Sequence, residues 1–406
     1  MKNIVFICLF CFGVLHAQTT VSDSVVLGPG YSNMVYYNLG SGAQTVVPAA
    51  GWDLQIWTNL MSASVRTNDA AGVQLYEPVN HDTAFWTSLD TTGMVPVYNA
   101  DTSWEVSAFN AHQTGHPNYG WGVYQGAGNL LGIKIFVIKT ANGNYKKIWI
   151  KRLVSGDEYQ FTVANLDGSQ EQTFSIRKSD YGAKAFVMYG IDSMQIIDAE
   201  PDKTNWDIVF RKYWATDTSY VVTGVLSHPD VQVAEARGVD VSSDDYAGLS
   251  FSSNISVIGY DWKSFNMSTF QWQLADSLAY FIEAQDGFIY KVVFTAFGGS
   301  SSGKVVFAKT QLPGVTAVHE KTALRTLSVS PNPVAENTRI LFSVMQNDRL
   351  SLTLHDVTGK QLFHTVLDAQ AGLNVYPLQT ESLTAGFYLL TLEGKSGRLT
   401  YRLLRQ

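Results

Sequence analysis

Ile133-Lys134-Ile135-Phe136-Val137-Ile138-Lys139, then Asn142-Gly143, then Tyr145-Lys146-Lys147-Ile148-Trp149-Ile150 is the stretch that decides the fold. β-Branched and aromatic runs on both sides of an Asn-Gly pair signal a hairpin, because Asn and Gly accept the positive φ values of a tight turn. The pattern returns downstream, where Tyr280-Phe281-Ile282 and Tyr290-Lys291-Val292-Val293-Phe294 flank Asp286-Gly287. Asp167-Gly168 marks a further turn. No stretch of a dozen residues carries the 3.6-residue period of an amphipathic helix. The chain is therefore expected to be all-β.

The two hairpins align without a gap: Phe136 falls on Tyr280, Ile138 on Ile282, Gly143 on Gly287 and Lys147 on Lys291. Upstream, Tyr119-Gly120-Trp121 matches Tyr260-Asp261-Trp262. Further upstream, Met34-Val35-Tyr36-Tyr37 leads to Gly51-Trp52-Asp53-Leu54-Gln55-Ile56. Its counterpart is Phe186-Val187-Met188-Tyr189 leading to Asn205-Trp206-Asp207-Ile208-Val209-Phe210. Four landmarks in one order make a tandem duplication, with copies expected at 18–181 and 182–310. Strand alternation puts Trp52 and Trp206 on the core face. Asp53 and Asp207 then accept backbone N–H bonds from a nearby turn.

The ends differ from the body. Met1-Lys2-Asn3, an apolar run from Ile4 to Leu15 and His16-Ala17 read as a signal peptide, residues 1–17, cleaved before Gln18. Both cysteines, Cys8 and Cys11, fall inside it, so the mature chain is expected to hold no disulfide, thiol nucleophile or Cys-ligated metal. Leu9-Phe10 and Phe12 are too bulky for lipid attachment at Cys11. No run after Ala17 reaches the roughly 18 apolar residues of a membrane helix, so no integral membrane segment is expected after signal cleavage. Net charge is −7, only 16% of the 406 residues are charged and 13% are aromatic. No basic stripe runs through the body, which argues against nucleic acid as a partner. A polar linker, 311–326, precedes a compact segment, 327–406. Its strands are expected near 338–345, 350–356, 361–367, 373–377, 386–393 and 398–404, the spacing of a small Ig-like β-sandwich.

That segment carries Ser330-Pro331-Asn332-Pro333, Leu354-His355-Asp356-Val357-Thr358-Gly359-Lys360, Leu383-Thr384-Ala385-Gly386-Phe387-Tyr388-Leu389-Leu390 and the basic Arg398, Arg402 and Arg405. With these motifs it resembles the type A sorting domain of the type IX secretion system of Bacteroidetes-type bacteria. The resemblance implies a translocon and a sortase as partners through 327–406, and a mature protein that is secreted, at the cell surface or released. The ending Leu403-Leu404-Arg405-Gln406 departs from the commoner Lys-rich finish.

The Tyr-Tyr strand, the Trp-Asp strand, Val65-Arg66-Thr67-Asn68-Asp69-Ala70-Ala71-Gly72-Val73 and the Gly-turn hairpin resemble the HmuY-like family of secreted haem-binding β proteins. That resemblance implies a duplicated HmuY-like body and haem as cofactor. Haem takes axial His or Met ligands. His112 and His116, in Ala111-His112-Gln113-Thr114-Gly115-His116-Pro117-Asn118-Tyr119-Gly120-Trp121, are the candidate haem or metal ligands, with Tyr119 and Trp121 as walls. The second copy has Met267 but no histidine near Tyr260-Asp261-Trp262. The alternative is a surface or matrix protein whose exposed aromatics bind glycans or other polymers. The sequence shows no His-Glu-x-x-His, phosphate loop or dinucleotide fingerprint, so a non-enzymatic binding protein is expected.

Overall fold

The computed structural model describes residues 19–313, 324–330, 334, 337–344, 347–370, 372–395 and 397–405. The signal-peptide reading, most of the linker and Pro331-Asn332-Pro333 lie outside the described residues. The described chain is nearly all β, as expected, with short 3₁₀ turns and one helical turn, Gly299–Ser302.

Both hairpins form in the same register. Ile135–Lys139 pairs with Tyr145–Val154, placing Phe136 opposite Ile148 and Ile138 opposite Lys146. Leu278–Glu283 pairs with Ile289–Phe297, placing Tyr280 opposite Val292 and Ile282 opposite Tyr290. Gly143 and Gly287 both sit at φ 85°, the left-handed turn position that glycine occupies without a Cβ clash. Lys147 and Lys291 are both buried and both donate to carbonyls of an upstream loop, Trp86 O for Lys147 and Val241 O and Ser243 O for Lys291.

Two strand pairings cross between the sequence copies upstream of these hairpins. Asn33–Tyr37 of the first copy pairs with Ile208–Ala215 of the second, Tyr37 opposite Ile208. Phe186–Gly190 of the second copy pairs with Leu54–Trp57 of the first, Tyr189 opposite Leu54. The chain accordingly divides into two compact units that each draw on both copies. Among the described residues, one is made of 19–49, 204–213 and 221–313; the other comprises 50–203, 214–220 and the described residues of the C-terminal segment.

In the first unit a five-stranded sheet runs in the order Thr20–Val26, Lys304–Gln311, Ile289–Phe297, Leu278–Glu283, Gln232–Arg237. Val25, Tyr280, Val292 and Phe307 of this sheet meet Val35, Tyr37, Ile208 and Phe210 of the exchanged sheet in one apolar core. The second unit repeats the scheme. Phe136, Ile138, Ile148, Ile150 and Phe161 of its larger sheet share a core with Leu54, Ile56, Val187 and Tyr189. Burying a side chain of this size contributes roughly 1.5–3 kcal/mol, so these positions dominate the apolar stabilisation.

Trp52 and Trp206 are fully buried, each just ahead of its strand rather than within it. The aspartates beside them are buried too. Asp53 accepts from Ala141 N at 2.7 Å and Ile191 N at 2.7 Å, and Asp207 from Gln285 N at 3.0 Å and Leu39 N at 2.8 Å. Ala141 and Gln285 stand at matching positions of the two hairpin turns, and Ile191 and Leu39 just after the matching exchanged strands. Burial pushes both carboxyls up from the ordinary aspartate range, while the backbone N–H bonds pull them back.

The C-terminal segment forms a three-stranded sheet, Leu324–Ser330, Asn337–Val344 and Gly372–Gln379. A four-stranded sheet follows the order Gln361–Ala369, Asp348–Asp356, Gly386–Gly394, Gly397–Arg405. Ile340, Phe342, Leu352, Leu354, Leu390 and Leu392 fill the core between them, giving the expected small sandwich. The Asp356-Val357-Thr358-Gly359-Lys360 motif is a turn. Asp356 Oδ1 accepts from Thr358 N and Lys360 N, and Gly359 sits at φ 87°.

Candidate functional site

The candidate loop of the first copy is divided between two environments. His112 is exposed, and its Nδ1 lies 2.8 Å from Glu77 Oε2. Lys134 Nζ at 2.6 Å and His81 Nδ1 at 3.2 Å meet the other oxygen of the same carboxylate. Burial works to raise the Glu77 carboxyl, but the Lys134 and His112 hydrogen bonds and the neighbouring positive charge more than offset it, leaving it below the ordinary range. His116 belongs to a different group: its ring meets Tyr124 edge-on at 4.9 Å and Tyr119 at 6.5 Å. Gly115, at φ 85°, turns the chain between the two histidines.

Trp121 is a core residue. It is fully buried, donates Nε1–H to Ala63 O at 2.9 Å and packs on Tyr159. Tyr119 is partly buried, and burial, with Glu105 and Tyr124 nearby, raises its phenol above the ordinary range. Among the described residues no group of three or more His, Cys, Asp or Glu side chains is arranged to hold a metal ion. The cavity lined by Lys146, Val163, Gln172, Ile191, Asp192 and Met194 measures about 70 Å³, room for a few waters. Sites for drug-sized ligands are roughly 300–1,000 Å³. The Arg66 segment, which carries part of the body's family resemblance, ties the structure together: its guanidinium donates to Ser103 O, Val106 O and Ala100 O.

A second surface was missed in the sequence because its strands are only four residues long. Lys263–Asn266 and Gln271–Leu274 form a two-stranded hairpin with Phe265 opposite Trp272 and Asn266 opposite Gln271. Phe265 is 41% exposed, Trp272 37%, Met267 72% and Phe270 73%. Met267, the soft ligand nearest to Tyr260-Asp261-Trp262 in the second copy, stands in solvent. The Phe265 and Trp272 rings meet edge to face at 5.3 Å, and Trp272 leans on Phe297 at 4.8 Å. Beneath them the Lys263 ammonium lies 4.5 Å from the Trp262 ring, 4.9 Å from Phe297 and 5.7 Å from Trp272. It donates to Thr223 O and Tyr260 O. Burial brings Lys263 down to about 7, with the Asp261 charge opposing that fall. A charge-bearing nitrogen under three aromatic faces and two carbonyls holds the hairpin base in place.

Residues 328–406 match the family described as secretion system C-terminal sorting domain. The tail is therefore a type IX sorting domain, and the chain is one exported to the cell surface or the extracellular space. No helix among the described residues is long and apolar enough to cross a membrane. No curated protein matches the chain. Among solved structures, the crystal structure of dimeric latent PorU from Porphyromonas gingivalis is similar at 8% identity and a TM-score of 0.20. That similarity covers 68% of this chain and 31% of that one. The family match stops at the tail and does not extend to the HmuY-like resemblance of the body.

Proposed function

We propose that the exported body is a non-enzymatic binding protein of the cell surface, and that it engages an extracellular polymer through exposed aromatic side chains. The observation that carries this reading is the hairpin that holds Phe265, Phe270 and Trp272 in solvent on a fixed base. Large aromatic side chains in water cost solvation unless something covers them, and clustered ones mark an interaction site. An extended polymer suits an exposed two-stranded hairpin better than a closed cavity does. Binding of the purified full chain to immobilised polysaccharides and protein fibrils tests the reading. A Phe265→Ala, Phe270→Ala double variant is expected to bind about tenfold more weakly. Unchanged binding of the variant rejects it.

Haem remains the ligand implied by the resemblance of the body, and one observation favours it: His116 is exposed beside the Tyr119 and Tyr124 rings. Haemin titration separates the two readings. A Soret shift abolished by His112→Ala with His116→Ala assigns the function to that loop instead.

A further inference from the structure

The 263–274 hairpin also carries information about what it binds. From Ser264 to Gln273 the residues are Ser, Phe, Asn, Met, Ser, Thr, Phe, Gln, Trp and Gln, all exposed but the half-buried Asn266 and with no charge among them. The only ionisable group of the two strands, Lys263, is buried and turned inward onto Thr223 O. Strand alternation sorts the rest. Phe265 and Trp272 form a cross-strand pair on one face, while Ser264 opposite Gln273 and Asn266 opposite Gln271 lie on the other. The hairpin is a blade with an aromatic side and an amide side.

Two features hold the aromatic side ready. Gly299, at φ 62°, approaches the indole so closely that a Cβ there would stand 2.7 Å from Trp272 Nε1. The backbone of the helical turn therefore supports Trp272 from behind, and only glycine permits that approach. At the tip, Phe270 has φ 54°, a left-handed conformation that bulky residues rarely adopt and that glycine takes freely. The chain thus holds a 73% exposed phenyl ring in a strained position that does nothing for its own packing.

We propose that this blade binds an uncharged polysaccharide, stacking sugar rings on Phe265, Phe270 and Trp272 of its aromatic side, while Asn266, Gln271 and Gln273 on the opposite side offer hydroxyl partners to a second segment of the polymer. The proposal rests on the aromatic-polymer reading above and names its ligand class. The C–H face of a sugar ring carries partial positive charge toward the negative π face of an aromatic ring. Side-chain amides offer both donors and acceptors, which is what a hydroxyl needs. An anionic polymer would meet no cation on the blade and a chain of net charge −7. A preordered platform loses little side-chain freedom on binding, so a shallow contact suffices.

The test is affinity electrophoresis of the full chain through gels containing hydroxyethyl-cellulose, mannan or amylopectin as neutral probes and alginate as an anionic one. Flotation with phosphatidylcholine vesicles runs alongside. Retardation by at least one neutral polysaccharide is expected. It should weaken about tenfold in Phe265→Ala with Trp272→Ala, and again in Phe270→Gly. Phe270→Gly should melt no lower than the wild type, because it relieves the left-handed strain, so its loss of binding cannot come from unfolding. No retardation by any neutral probe, or retardation that both variants keep, overturns the proposal. If instead alginate or vesicles are bound and the variants abolish that, the hairpin reading stands and the neutral-sugar assignment falls.

Discussion

Asp53 Oδ2 accepts a 2.7 Å hydrogen bond from the backbone N–H of Ile191, 138 residues further along the chain. Its other oxygen takes Ala141 N, from the hairpin turn of its own sequence copy. One carboxylate thus fastens an exchanged strand to a resident hairpin, and Asp207 does the same with Leu39 and Gln285.

Removing either clamp should leave two buried N–H groups without acceptors. Asp53→Ala and Asp207→Ala are each expected to lose roughly 1–3 kcal/mol per orphaned group. Asp→Asn should fall between, since the amide keeps one oxygen and points an NH₂ at the second donor. Urea unfolding of the full chain measures this, and unchanged midpoints for the Ala variants would show that the clamps contribute nothing.

Trp52 and Trp206 are fully buried at equivalent places. Trp52→Ala and Trp206→Ala should each destabilise by about 3–5 kcal/mol, the range for large aromatic-to-Ala changes in cores. Melting curves decide it; a loss of ligand binding at an unchanged melting temperature would make either residue a contact instead.

Stability should rise with pH above neutrality. Burial brings Lys178 and Lys263 down to about 7 in the folded chain, from the ordinary 10.5. Between those values the unfolded chain binds more protons, so raising pH favours the folded form. Above about pH 10 the sign reverses. There burial keeps the Tyr37, Tyr280 and Tyr290 phenols protonated after the unfolded ones have ionised. Denaturation midpoints at pH 7, 8.5, 9.5 and 11 should therefore pass through a maximum. Lys178→Met with Lys263→Met should flatten the rising limb; an equally steep rise in that variant would assign it to other groups.

The sorting domain should be necessary for export. Deleting residues 327–406 should leave the protein in the periplasm, as read by cell fractionation and protease shaving of whole cells. Normal surface delivery of the truncated chain would contradict the sorting role.

Much of this was legible in the sequence where the physics is local. Asn142-Gly143 and Asp286-Gly287 announced their turns because positive φ restricts the residue types allowed. The tail strands fell within a few residues of their expected places because apolar alternation there is regular. Trp52-Asp53 and Trp206-Asp207 gave the buried pair and the role of the carboxylate. Partner choice was not legible: Asn33–Tyr37 and Phe186–Gly190 are both short apolar strands ending near a tyrosine, and nothing in their side chains distinguishes one Trp-Asp strand from the other. The Glu77 cluster was hidden by separations of 35 and 57 residues from His112 and Lys134. Trp121 looked like a pocket wall because it follows two histidines, yet its indole serves the core. The 263–274 blade alternates aromatic with amide side chains over strands too short to stand out.

The pairing of Thr20–Val26 with Lys304–Gln311 joins the two ends of the body, Thr20 to Thr310. A growing chain therefore holds its first strand without a partner until almost the whole body has been synthesised. Contacts of such long sequence separation form slowly. Translation itself sets a delay before the first unit can close.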